Sequence, residues 1–315
     1  IIYNTNKLEI KKYIKSKSKR GLIRKREILS EIFKISLPVS SNRFITSVMS
    51  AIELILIPKR LLVGGMNYQE SIGLYGKLTG MAMPLIYFPC IVTSSLAITL
   101  VPAISEALSL RNLKTANYRI SKSIQISFML GFIFASIFLC YPNEISDIIF
   151  RKENIGELLY LLAFTCLFMY LQQTLTGIMN GLGKQGISLR NSIIGYIIRI
   201  GFVYFLMPIY GIKSYITAIF ISSFLICVLN LSTVIRSTGI YIDIRNWILK
   251  PGAVGIFMLL VGKYIYSFFT IFIKHEILTI GFSVGGNIII GLLLMVIIGV
   301  LEKDQILKMI GMKKT

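Results

Sequence analysis

The sequence predicts an all-α, polytopic membrane protein, and three observations carry the prediction. The chain is 55% hydrophobic and only 15% charged, whereas soluble domains run at about a quarter charged. Its mean hydropathy is +0.74. Apolar runs of about 20 residues, the length that crosses a bilayer as a helix, follow one another along the chain. Lipid leaves backbone groups no outside partner and the alternating strands of a barrel are absent, so helices are the spanning form. With so many runs in series, none reads as a cleaved signal peptide.

Eight spans are expected, near 32–57, 78–101, 120–141, 157–179, 187–209, 214–235, 248–272 and 277–300. The first contains LPVSSNRFITSVMSAIELILIP (37–58), which holds Arg43 and Glu53. Each charge at bilayer depth costs on the order of 2.5–3.5 kcal/mol on insertion scales. On a helical wheel, Ser36, Ser40, Ser47 and Ser50 cluster with Arg43, and Asn42, Thr46 and Glu53 lie beside them. Phe44, Ile45, Val48, Met49, Ile52, Ile55 and Leu56 fill the opposite arc, with Ser41 the misfit. Arg43 and Glu53 are about 15 Å apart along the axis, too far to satisfy each other. Each needs another partner, water, or a route to the interface by snorkelling. For Arg43, centred on the serines, a water-filled cavity is favoured.

The second span, GMAMPLIYFPCIVTSSLAITLVP, carries Pro84 and Pro89, which remove backbone donors and predict a kinked or broken helix. The fourth contributes YLQQTLTGIMN, whose Gln172, Gln173, Thr174, Thr176 and Asn180 are suited to hydrogen bonds between helices. The fifth spaces Ser192, Gly195, Tyr196 and Arg199 along one face. Arg199 is near mid-span, so a cavity or a buried partner is expected for it. Lys263 in the seventh span lies in the outer half and reaches the interface by snorkelling. Three intramembrane cations thus face one acid, Glu53. A surplus of positive potential favours an anionic, phosphate-bearing guest over a cationic one.

Charge sets the orientation. The segments on the side of the first tail, 1–36, 105–122, 179–192, 235–250 and 301–315, hold 24 Lys and Arg. The opposite segments, 58–77, 141–157, 208–214 and 273–276, read as outer loops and hold seven. The excess predicts both ends of the chain on the cytoplasmic face of the plasma membrane. The tail KLEIKKYIKSKSKRGLIRKRE runs directly into a span. It reads as attracted to anionic membrane lipids, at roughly 1 kcal/mol per basic residue, and not as a nucleic-acid arm. Because residue 1 is Ile and basic polar sequence precedes the first span, the chain is expected to be the C-terminal portion of a longer protein.

Other motifs lead nowhere. GLGKQG (Gly181 to Gly186) matches a dinucleotide fingerprint, but no strand precedes it and no acid follows at the required distance. It reads as a glycine turn between two spans. The four cysteines have no metal-ligand spacing and read as small packing residues. The lone His275 gives no metal site, no Walker motif is present, and no nucleophile–base constellation emerges, so neither a cofactor nor an enzyme is expected.

SLPVSSNRFITSVMSAIELILIPKRL followed by SIGLYGKLTGMAMPLIYFPCIVTSSLAITLVPAISEAL resembles the second half of the stage V sporulation protein B group. That group lies in the polysaccharide-exporter branch of the multidrug/oligosaccharidyl-lipid/polysaccharide (MOP) exporter superfamily. YGKLTGMAMPL and LVPAISEA carry the resemblance most specifically, over residues 36–107. It implies two six-helix lobes around a central cavity and two further C-terminal helices. Residues 1–30 would then be the cytoplasmic linker between lobes, 31–235 the second lobe, and 236–315 the extra helix pair with a cytoplasmic tail. The implied activity is alternating access that flips a lipid-linked oligosaccharide precursor, for spore cortex peptidoglycan or cell-wall polysaccharide. The implied partner is the missing N-terminal lobe of the same protein. Arg43 and Glu53 match the group's pattern in the lobe's first helix, and Arg43 is the candidate pyrophosphate contact. Related lipid II flippases also use an arginine in the lobe's second helix, where span 78–101 has no charge. The expected substrate-binding residues are Arg43, Arg199, Glu53, Ser47, Ser50, Tyr196, Gln172 and Gln173. A cation-coupled multidrug antiporter and a non-transporting scaffold for cell-wall enzymes are the alternatives.

Overall fold

The structure, a computed structural model, describes residues 25–299. The expected cytoplasmic tail 301–315 and most of the expected linker 1–30 lie outside the described residues. Within them the fold is all helical, and each of the eight expected spans falls on helix.

Thirteen α-helices are described: α1 (Lys25–Val63), α2 (Tyr68–Lys77), α3 (Met83–Tyr87), α4 (Cys90–Ser109), α5 (Leu113–Cys140), α6 (Pro142–Phe150), α7 (Gly156–Ala163), α8 (Cys166–Gly181), α9 (Gln185–Phe205), α10 (Met207–Tyr210), α11 (Ile212–Thr238), α12 (Lys250–Phe272) and α13 (Glu276–Ile297). Five of the described helical segments are long and apolar enough to cross a membrane: α4, α5, α11, Arg245–Phe272 and α13. The α7–α8 pair makes a sixth if its two parts, bent by 55°, form one span. The protein is a multi-pass membrane protein. Expected spans 32–57 and 187–209, in α1 and α9, fall outside this set. They are the helices that carry Arg43, Glu53 and Arg199.

The second expected span is broken as its prolines dictate. A π-helical turn, Leu78–Ala82, precedes α3, and the helix is interrupted at Phe88 and Pro89 before α4 begins. The hydroxyl of Tyr170, buried on α8, donates to the Ile86 carbonyl beside the break at 2.9 Å. Two stretches expected as outer loops are largely helical instead. Residues 58–77 contain the end of α1 and all of α2, and 141–157 contains α6. Their starts are capped locally: the Asn67 side chain accepts from the Glu70 amide at 2.8 Å, and Pro142 occupies the first turn of α6.

The core lies where α4, α5, α8 and α11 pack on one another, and α12 and α13 dock together on α5. On the other flank α9 packs on α11, and α1 packs on α9. Small residues allow the closest crossing: a Cβ on Gly177 of α8 would meet Ala97 of α4, including its backbone, at 2.6 Å. Buried polar pairs join the helices. Ser127 and Thr174 share a hydrogen bond of 2.6 Å, and the Asn191 amide donates to Asn230 at 2.9 Å. GLGKQG forms the end of α8, the turn 182–184 and the start of α9. Gly183 stands at φ 70°, a conformation glycine adopts without strain. The preceding element is helix, so nothing of a dinucleotide site remains. All four cysteines are free, and Cys140, Cys166 and Cys227 are buried packing residues.

Candidate functional site

The face of α1 that carries Thr46, Glu53 and Arg60 turns toward α9, while Ser36, Ser40, Ser47 and Ser50 stay exposed. There the Thr46 and Tyr196 hydroxyls share a hydrogen bond of 2.9 Å. Two turns farther along α1, Glu53 is 5% exposed and its Oε1 lies 2.5 Å from Nε of Arg199. Tyr215 of α11 donates to Glu53 Oε2 at 2.9 Å. The Arg199 guanidinium also stands 4.9 Å from the centre of the Tyr196 ring, within cation–π range. Farther along, Arg60 stacks over the Tyr204 ring at 4.2 Å and donates to the Tyr204 carbonyl, locking α1 to the end of α9.

Two adjoining cavities open beside this junction. The larger, about 500 Å³, is bounded by α1, α9 and α11 on one side and by the broken second span and α8 on the other. Glu53 and Arg199 are the two charged residues in its lining, so their charges cancel. Its rings come from Tyr75, Tyr87, Tyr196 and Tyr215. Ser50, Gln172 and Gln173 also line it, and neither glutamine amide has a hydrogen-bond partner among the described residues. The smaller cavity, about 330 Å³, lies between α1, α4, α8 and the start of α9. Its one charged lining residue is Arg43, which has no ion-pair partner among the described residues. Ser94 and Gln173 line both cavities, so the two are neighbours along one polar groove.

The structure thus brings Glu53, Arg199, Ser50, Tyr196, Gln172 and Gln173 together at one cavity and places Arg43 at the next. It sets Ser47 apart. The Ser47 hydroxyl donates to the Arg43 carbonyl of its own helix at 3.1 Å and lines neither cavity. A serine in a helix satisfies itself this way when no neighbour competes. Of the fourth-span polar residues, Thr174 bonds across to α5, while Thr176 bonds back to the Gln172 carbonyl. The two glutamines face the groove instead of gluing helices. The balance of three cations against one acid also changes, because Arg199 is neutralised by Glu53 and Lys263 is exposed. The surplus charge of the groove is that of Arg43.

Several lining residues escaped the sequence reading. Tyr215, Ser222 and Ser223 recur at helical spacing along the sixth span, a signal that was legible. Tyr75 sat in a presumed loop. Gln185 fell just before the expected span 187–209, whereas α9 already begins there, and Ser188 at the start of that span was not singled out.

Residues 78–205 match the MatE family. Over 245 residues, 77% of the chain, the sequence is 27% identical to Stage V sporulation protein B of Bacillus subtilis (strain 168), and that match covers 46% of the relative. Over 184 residues, 58% of the chain, it is 24% identical to Sporulation protein YkvU of the same organism, covering 41% of it. The chain therefore spans less than half the length of these curated relatives. No solved structure matches it. The chain is thus similar over part of its length to the MatE family and to these two sporulation proteins.

Proposed function

We propose that the complete protein carrying this chain is a flippase that moves lipid-linked peptidoglycan or polysaccharide precursors across the plasma membrane by alternating access. In this reading residues 31–235 form one lobe and face a second lobe across the groove, and 236–315 add the outer helix pair. The basic stretch 1–30 lies at the cytoplasmic face against anionic lipids. The observation that carries the proposal is Arg43. It is a cation within the first expected span, without a carboxylate partner among the described residues, and it lines a cavity whose wall mixes polar and apolar side chains. Such a group is costly to keep unless it meets an anion. The names of the related proteins point to sporulation as the setting, within which this reading assigns the chain to spore cortex or cell-wall synthesis.

A cation-coupled multidrug antiporter draws support from Glu53, a buried carboxylate lining the larger cavity. Its pairing with Arg199 counts against that role, because the guanidinium already takes the place a guest cation would need. The test is a flipping assay on the complete protein in vesicles, comparing lipid II with other polyprenyl-linked wall precursors. Transport that falls by about tenfold or more with Arg43→Ala supports the proposal. An Arg43→Ala variant that flips at the parental rate removes it. Proton- or sodium-dependent dye efflux in place of lipid flipping would establish the antiporter.

A further inference from the structure

The connection between α11 and α12, GIYIDIRNWILK (239–250), joins two segments long and apolar enough to cross a membrane, which puts it at a membrane surface. Gly239 ends α11 at φ 65°, the left-handed conformation that lets the chain leave the helix. Ile240 and Trp247 then turn inward and are buried. Trp247 Nε1 donates to the Ser121 hydroxyl of α5 at 2.9 Å, and the Asn117 side chain of α5 donates to the Thr238 carbonyl at 3.0 Å. The connection is thereby held on α5 at both ends. What it leaves outside is apolar: Tyr241, 86% exposed, with Ile242, Ile244 and Leu249.

Its charges are gathered by an irregular turn. Arg245–Leu249 is π-helical, closed by a bond from the Lys250 N–H to the Arg245 carbonyl. A bond of that span sets Lys250 nearly above Arg245, whereas in an α-helix the same two residues stand about 140° apart around the axis. Asp243 is close to both. Its carboxyl is held below the usual range by hydrogen bonds from Asn246 first, and by the attraction of Lys250 and Arg245. Its oxygens are taken up locally, accepting from the Asn246 amide at 3.0 Å and from the Asn246 side chain at 2.5 Å. Neither cation makes a contact ion pair among the described residues. Arg236, in the last turn of α11, adds a third cation against the one carboxylate.

We propose that the α11–α12 connection is a binding site for an anionic phospholipid, whose phosphate meets Arg245 and Lys250 and whose acyl chains lie against Tyr241, Ile242, Ile244 and Leu249. Long basic side chains reach headgroup level while apolar neighbours face the hydrocarbon, and surplus positive charge selects an anionic lipid over a zwitterionic one. A lipid seated here covers the contact of Trp247 with Ser121 and so fastens the outer helix pair to α5. The site asks nothing of what the complete protein transports.

Trp247 is the one tryptophan of the 315-residue chain and stands beside the site, so its fluorescence reports occupancy. The complete protein, with any tryptophan outside this chain replaced by phenylalanine, is placed in phosphatidylcholine vesicles. Chain-brominated phosphatidylglycerol or chain-brominated phosphatidylcholine is then added as a short-range quencher. Brominated phosphatidylglycerol is expected to win by about tenfold or more in apparent affinity. Arg245→Gln combined with Lys250→Gln is expected to bring the two lipids level, and Lys184→Gln, in the α8–α9 turn, to leave the preference as it was. Equal quenching of the parent by both lipids overturns the proposal, as does an undiminished preference in the double variant. Loss of preference with Lys184→Gln as large as with the double variant would mean a general attraction and no site. Inorganic phosphate that abolishes the preference would mean a free-anion site, which overturns the assignment to a lipid.

Discussion

Glu53 of α1 and Arg199 of α9 meet at 2.5 Å, and Tyr215 of α11 donates to the second carboxylate oxygen at 2.9 Å, so one ion pair ties three helices together. Removing one member leaves the other buried and uncompensated, which costs about 3–5 kcal/mol. Glu53→Gln and Arg199→Gln should therefore each lower the thermal midpoint of the purified protein sharply. Combining them should recover most of the loss. If the double variant is as unstable as the sum of the single ones, the two side chains are not coupled.

Gly177 lets α8 cross α4 closely. Gly177→Ala should destabilise by about 1–3 kcal/mol, because the new methyl meets the backbone of Ala97 and not a movable side chain. The companion change Ala97→Gly should give little rescue, since the Ala97 Cα and carbonyl stay in place. A thermal-shift comparison of the two variants decides the point.

The outer helix pair is pinned to α5 by a short polar network. Tyr141 donates to the Gly262 carbonyl at 2.7 Å and accepts from the Asn287 amide at 3.3 Å. Tyr141→Phe strands both groups in a buried site and should cost about 1–3 kcal/mol. Hydrogen exchange should then quicken across α12 and α13 while α1 and α9 keep their protection. Uniform quickening would show that the pair is not a separable unit.

The positive-inside count predicts an orientation that labelling can check. In a variant lacking the four native cysteines, Lys184→Cys in the α8–α9 turn should react with an impermeant thiol reagent from the cytoplasmic side. Lys274→Cys, between α12 and α13, should react from outside. The reverse pattern would invert the assigned topology.

Much of this was legible in the sequence. Pro84 and Pro89 announced the break in the second span, and the charged and polar residues Asn42, Arg43, Thr46 and Glu53 of α1 announced a polar groove. The partner of Glu53 was not legible. A wheel shows which residues share a face, but not which distant helix comes to that face, so Arg199 and Glu53 could be flagged separately and not joined. The bend between α7 and α8 falls in LLAFTCLF, which has neither proline nor glycine to mark it. The helix α2 did carry a signal, the Asn67–Glu70 cap, and charge counting alone read its segment as a loop.

The joining of α1 to α9 also bears on how the chain is made. The carboxylate of Glu53 leaves the ribosome well before Arg199, with α4, α5 and the α7–α8 segment emerging in between. At about 2.5–3.5 kcal/mol for an unmatched charge, α1 is a poor candidate to settle in the bilayer alone. Its final seating therefore waits on α9, and a nascent chain stalled before Arg199 would hold its first helix at the membrane surface or in the insertion machinery.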